Sequence, residues 1–168
     1  YFSMVESNRH IGELKKNGGT VCQLVGGHLL LGDIDLGAVA DMPLSMGGSA
    51  KYNIENLAAA ACIAASLGID ASTIRSTLER FGAANSDNPG RLQRWNIGGA
   101  NVMSDYAHNP EGLHGFLSIV QKLKQDGRLA LLLGQAGNRE DKDIRELAKV
   151  AASFNPDFIV LKDIDGFI

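Results

Sequence analysis

The segment Asp105-Tyr106-Ala107-His108-Asn109-Pro110 places a carboxylate, a phenol and an imidazole close together, immediately ahead of a proline. An apolar run precedes it and a helical pattern follows, so it falls where a strand hands over to a helix. Ligands of open α/β sheets gather at the carboxyl ends of strands. A carboxylate there can accept hydrogen bonds from ribose hydroxyls. His108 lies just before a helix start, where unpaired N–H groups and the helix dipole favour a phosphate. The pair is therefore suited to the ribose and phosphate of one nucleotide. It is equally suited to capping and tying a turn, and position at a strand end names no ligand.

Other reactive side chains signal less. His10 and His114 fall in helical stretches and His28 in a strand, where surface or core roles suffice. Cys22 and Cys62 show neither CxxC nor metal-ligand spacing and read as buried, reduced thiols. Gly134 and Gly137 lack the third glycine of a dinucleotide-binding fingerprint, and no G-x-x-x-x-G-K-[ST] phosphate loop occurs.

The elements that would position the segment follow from periodicity and turn chemistry. A strand end at 1–4 precedes a helix at about 7–17, stopped by Gly18-Gly19. Apolar runs at 20–25 and 28–31 flank Gly26-Gly27, a hairpin signal. The stretch 33–46 reads as a further extended segment, limited to an edge by Pro43. A helix at 56–67, opening near Asn53, ends at Gly68. Asp70 or Ser72 caps a second helix at about 73–81. The stretch 83–91 is a linker rich in turn residues. Beyond it, runs at 92–97 and 100–106 flank Gly98-Gly99, a second hairpin. A helix at 110–125 follows, with Asn109 as N-cap and Pro110 at its first position. Continuous apolar runs at 129–133 and 158–161 read as strands buried on both faces, around a helix at 141–154. Alternation of this kind implies α/β architecture, a mostly parallel sheet covered by helices.

The chain has 168 residues, 45% hydrophobic and 21% charged, enough for one full domain or two partial ones with a buried core. The net charge of −3, with scattered Lys and Arg, argues against a nucleic-acid or anionic membrane partner. The Ala-rich run at 57–67 is too short to span a bilayer. The opening Tyr-Phe-Ser-Met lacks a basic signal-peptide region, so a cytoplasmic location is expected. Nothing in the composition excludes a homo-oligomer. The chain also reads as cut at both ends, starting in a strand and stopping just after one.

Asp105 to Pro110 resembles the Asp-Tyr-Ala-His-Asn/Thr-Pro motif that opens the C-terminal domain of Mur ligases and folylpolyglutamate synthetases. Pro89-Gly90-Arg91 precedes it at the linker, as in that family. Gly48-Ser49-Ala50-Lys51-Tyr52-Asn53-Ile54-Glu55-Asn56 resembles the family's Asn-x-x-Asn segment. The stretch from Gly137 to Leu147 is similar to one in the cyanophycin-synthesising branch, with Asn138 where Asp is usual. The resemblance implies the end of a central ATPase domain over 1–88 and a truncated Rossmann-like C-terminal domain over 89–168. It implies ATP, with Mg2+ ligands and phosphate loop upstream, and a carboxylate activated as an acyl phosphate for attack by an amine. In the cyanophycin branch these are an aspartate carboxylate and arginine, so the partners are a small amino acid and a carboxylate or peptide acceptor.

By the same resemblance Asn56 and Asn53 face the adenine, Arg91 the phosphates, Asp105 the ribose and His108 the phosphate chain. Arg139 faces the reacting end, and Asp163 and Asp165 lie where the incoming amino acid is read; as residues alone these three are as well explained by exposed surface positions. Another Mur-type ligase, acting on a peptidoglycan precursor or folate, and a non-catalytic nucleotide-binding module are the alternatives.

Without a phosphate loop and its lysine to neutralise the β- and γ-phosphates, this chain is expected to consume no ATP by itself. Steady phosphate release above a buffer blank with any amino acid, abolished by Asp105→Ala, would overturn that.

Overall fold

Two glycine pairs turn the chain back on itself, once in each half. A two-residue hairpin loop of type I′ matches the strand twist with both central residues at positive φ. Gly26 and Gly27 have φ of 54° and 83°, and Gly98 and Gly99 have 57° and 84°. The computed structural model describes residues 1–134 and 140–162. The chain divides into two compact units, Tyr1–Pro89 and Gly90–Ile168.

In the first unit the strands β1 (Phe2–Ser3), β2 (Cys22–Val25), β3 (His28–Leu31) and β4 (Ile34–Ala38) form one sheet in that order. β1 runs parallel to β2, and the other pairs are antiparallel. The helix α1 (Arg9–Lys16) connects β1 to β2, its N-terminus capped by the Asn8 side chain. Alternation along β3 buries Leu29 and Leu31, which share one face of the sheet. They join Cys22, Leu36 and Met42 in a core closed by α2 (Lys51–Ser66) and α3 (Ala71–Leu78). From α2 come Ile54, Leu57, Ala58, Ala61 and Cys62, and from α3 Ile74 and Leu78. The small residues of α2 let the helix lie close to the sheet.

Asp70 caps α3, accepting from the Thr73 N–H at 2.9 Å. Hydrogen bonds from the Ser72 and Thr73 hydroxyls, then from that amide, hold its carboxyl well below the usual range. Gly68, at φ 84°, follows the C-cap of α2.

Extended structure at 33–46 is corrected: only Ile34–Ala38 is a strand, and Val39–Asp41 and Pro43–Ser45 are single 3₁₀ turns. Pro43 starts a turn, where its fixed φ and missing N–H cost nothing, instead of marking a sheet edge. The buried Ser45 hydroxyl bonds the Val39 carbonyl and accepts from the Gly48 N–H at 2.9 Å. These bonds satisfy backbone that a ladder would otherwise have used.

The second unit begins with the antiparallel hairpin β5 (Gln93–Ile97) and β6 (Ala100–Ser104). Then come α4 (Pro110–Leu123), β7 (Ala130–Gly134), α5 (Asp141–Ser153) and β8 (Phe158–Lys162). β7 and β8 pair in parallel across the α5 crossover, a βαβ unit. Leu113 and Leu117 of α4 pack with Leu129 and Leu131 and with Ala151 of α5.

Burial on both faces of these two strands is also overturned. Leu131 is buried, but Leu132 is 69% exposed and every residue of β8 is exposed. Among the described residues the helices α4 and α5 meet the Leu131 side of this two-stranded sheet. Leu132 and its register partner Val160 point the other way. A run of consecutive apolar residues reports two apolar faces without saying that both are covered.

Burial pushes the Cys22 thiol up to about 12, with nearby Cys62 adding to the shift. A raised pKa keeps the unreactive thiol form at every pH below it. Cys22 is therefore expected to resist Ellman's reagent at pH 8 in the folded chain and to react once the chain is unfolded. Stoichiometric labelling of Cys22 in the native state within seconds would contradict its placement.

Candidate functional site

The hairpin's second strand delivers Asp105 to the start of α4, and its carboxylate is already in use. One oxygen accepts from the Ala107 N–H at 2.9 Å, closing the Tyr106 turn. The other accepts from the Leu92 N–H, also at 2.9 Å and 13 residues back. Asp105 thus joins the entry of β5 to the exit of β6. Leu92 needs the tie, since its φ of 49° is a left-handed conformation that a branched side chain adopts at a cost. Its buried side chain and the Asp105 bond together hold it there.

The same tie fixes the backbone next to Arg91, which Gly90 precedes at φ 74°. The Arg91 guanidinium lies 5.0 Å over the Tyr106 ring. That ring in turn stands 4.9 Å from the His108 ring, tilted by 46°. Arg91, Asp105, Tyr106 and His108 are thereby brought together within the second unit. None of the ion pairs among the described residues involves Arg91.

The start of α4 is less open than its position suggests. Asn109 is the N-cap, its side chain accepting from the Gly112 N–H at 2.7 Å. Its carbonyl takes the Leu113 N–H at 2.9 Å, and Pro110 has no N–H to give. Glu111 adds a negative charge in the first turn. Anion binding here would rest on Arg91 and His108 more than on helix amides.

In the first unit Asn53 and Asn56 fare differently. Asn53 is buried in α2, and its amide donates to the Leu44 carbonyl at 2.9 Å, tying the helix to the Pro43–Ser45 turn. Asn56 is exposed and so the more available of the two. Arg139, Asp163 and Asp165 lie outside the described residues, as do Gly137 and Asn138.

The remaining histidines have neighbours that account for them. His28 pairs with Asp35 at 3.0 Å, and the Gly37 N–H followed by His28 holds the Asp35 carboxyl low. His114 stands edge-on to Phe154, 5.3 Å between centroids. Among the described residues no group of three or more His, Cys, Asp or Glu side chains gathers for a metal. No helix among them is long and apolar enough to cross a membrane.

Sequence reasoning missed Tyr106 as the contact between Arg91 and His108, although its place between Asp105 and His108 was a signal. It also missed Leu92, whose left-handed backbone has no signature in residue type.

With this geometry in place, the comparisons with known proteins define the class. Residues 90–165, nearly the whole second unit, match the family described as Mur ligase, glutamate ligase domain. Through that unit the chain belongs to the Mur ligase family. Over 98% of its length it is similar to the cyanophycin synthetases of Crocosphaera subtropica, at 32% identity, and of a Nostoc species, at 30%. More distantly, 67% of the chain is 32% identical to a UDP-N-acetylmuramoyl-L-alanyl-D-glutamate–2,6-diaminopimelate ligase of Gloeobacter violaceus, spanning 22% of that protein. The chain spans only 19% and 18% of the two cyanophycin synthetases.

Losing both Asp105 bonds should loosen the hairpin base. Each charge-assisted bond contributes about 1.5–3 kcal/mol. Asp105→Ala is expected to cut the hydrogen-exchange protection of the Leu92 and Ala107 amides by at least tenfold, with α2 amides unchanged. Unaltered protection at Leu92 would remove the tie from the account.

Proposed function

We propose that this chain belongs to an ATP-dependent ligase that forms an amide bond between a carboxylate and an amine. Residues 1–88 would supply the end of its central ATP-binding domain and 89–168 its C-terminal domain. The observation that carries the reading is the gathering of Arg91, Asp105 and His108 at one strand-to-helix junction, in a unit of this family. ATP, when bound, supplies the phosphoryl group that turns the carboxylate into an acyl phosphate open to the amine.

The residues fit such a nucleotide. After its two backbone bonds the Asp105 carboxylate keeps about two of its roughly four acceptor positions. That is enough for a ribose hydroxyl. Arg91 brings a planar, permanently charged fork suited to phosphate oxygens. His108, against the same Tyr106 ring, offers a donor in either tautomer. Asn56 is the amide assigned to the adenine edge, with Asn53 holding the helix that carries it. Mg2+ would neutralise phosphate charge, and no described residue is assigned to it. Arg139, Asp163 and Asp165 remain assigned to the acceptor and the incoming amino acid.

The similarity to cyanophycin synthetases over nearly the whole chain favours arginine and an aspartate carboxylate as substrates. The shorter match to a diaminopimelate-adding ligase supports a peptidoglycan-precursor ligase as the second reading. Phosphate release by the longer enzyme, offered each substrate pair in turn, separates them. Release with the peptidoglycan precursor but not with arginine would reverse the order. The enzyme is expected to work in the cytoplasm, where ATP is held.

In that enzyme Asp105→Ala and His108→Ala are each expected to raise the KM for ATP roughly ten- to hundredfold, His108→Ala through one lost charged hydrogen bond and Asp105→Ala also through the loosened backbone under Arg91. The KM for the amine should stay near wild type. Circular dichroism should show α4 intact, because Asn109 and Pro110 are untouched. Folded variants with wild-type ATP dependence and a raised amine KM would show that the junction does not hold the nucleotide.

A further inference from the structure

Tyr106 is 56% exposed and belongs to neither hydrophobic core. Packing therefore does not explain a large aromatic ring at this position, but its two neighbours do. The Arg91 guanidinium sits over the ring at 5.0 Å, and the His108 ring stands 4.9 Å away. An exposed arginine has many side-chain rotamers, and a cation over an aromatic face selects among them. The backbone under Arg91 is independently fixed, between Gly90 and Leu92 in left-handed conformations and by the Asp105 bond to Leu92. Backbone direction is thus set by Asp105, while side-chain direction is left to Tyr106.

We propose that Tyr106 is a positioning residue that seats the Arg91 guanidinium over its ring, at the junction that also carries His108, ready for the oxygens of an anionic ligand. It acts through Arg91 by its ring face, and its hydroxyl is not required. Only the identity of the anion, the phosphates of ATP, rests on the function proposed above. The seat itself is a property of the chain.

Two conservative variants separate ring from hydroxyl. Tyr106→Phe keeps the face, and Tyr106→Leu keeps the bulk without the π-system. In the 168-residue chain the Arg91 side-chain NMR signals should show a ring-current shift that is retained in Tyr106→Phe and lost in Tyr106→Leu. In the longer enzyme the apparent affinity for ATP should be unchanged in the first and weakened roughly two- to fivefold in the second. Unchanged Leu92 and Ala107 amide shifts in both variants would show that the Asp105 tie is intact. Arg91 signals that do not move in Tyr106→Leu, or ATP affinity that Tyr106→Leu leaves at wild type, would overturn the proposal. A wild-type chain with the ring-current shift, in a longer enzyme that uses no ATP, would sink the nucleotide reading and leave the seat standing.

Discussion

The Asp105 carboxylate accepts from two backbone amides, one two residues ahead and one 13 residues back. Most of what is distinctive in the second unit depends on that pair of bonds. They hold Leu92 in a left-handed conformation, close the open end of the β5–β6 hairpin, and set the Tyr106 turn at the mouth of α4. Without them Arg91 would have neither a fixed backbone nor an aromatic ring in reach. A charge-assisted bond to a backbone amide is stronger than a neutral one. A carboxylate is thus suited to closing a base that must stay rigid while remaining partly open to solvent.

The two readings of Asp105 allowed by sequence, ligand contact and turn tie, are not exclusive. A carboxylate has more acceptor positions than two amides can fill. The tie orients the oxygens, and the remaining lone pairs face whatever comes to the junction. Asn53 shows the contrasting case. Its amide is committed to Leu44 inside a packed helix, which leaves the exposed Asn56 as the freer partner of that pair.

Much of the fold was legible because the chain is punctuated. Glycine pairs, Asp70, Asn109 and Pro110 each impose a backbone state by their own chemistry, and the elements they bound appeared where expected. The failures have a different origin. The 3₁₀ turns around Pro43 are held by the buried Ser45 hydroxyl, a contact that no periodicity reports. The bare side of β7–β8 escaped because hydrophobicity measures what a strand could bury, and coverage depends on neighbours. Within the site, the residue types at 91, 105 and 108 could be read directly. The Asp105–Leu92 bond and the seat on Tyr106 could not, since both join positions more than a dozen residues apart.

The parallel pairing of β7 with β8 has a consequence for the order in which the second unit assembles. Partners in β5–β6 are joined by a two-residue turn, so the entropy lost on bringing them together is small. β7 and β8 meet only after α5 has folded back, and the Leu129 N–H then reaches the Asp157 carboxylate 28 residues away, at 2.7 Å. Closing a loop of that length costs more configurational freedom before any contact repays it. The junction that carries Arg91, Asp105 and His108 is built on the cheap local closure, and the crossover strand is latched by a carboxylate at the far end of the costly one.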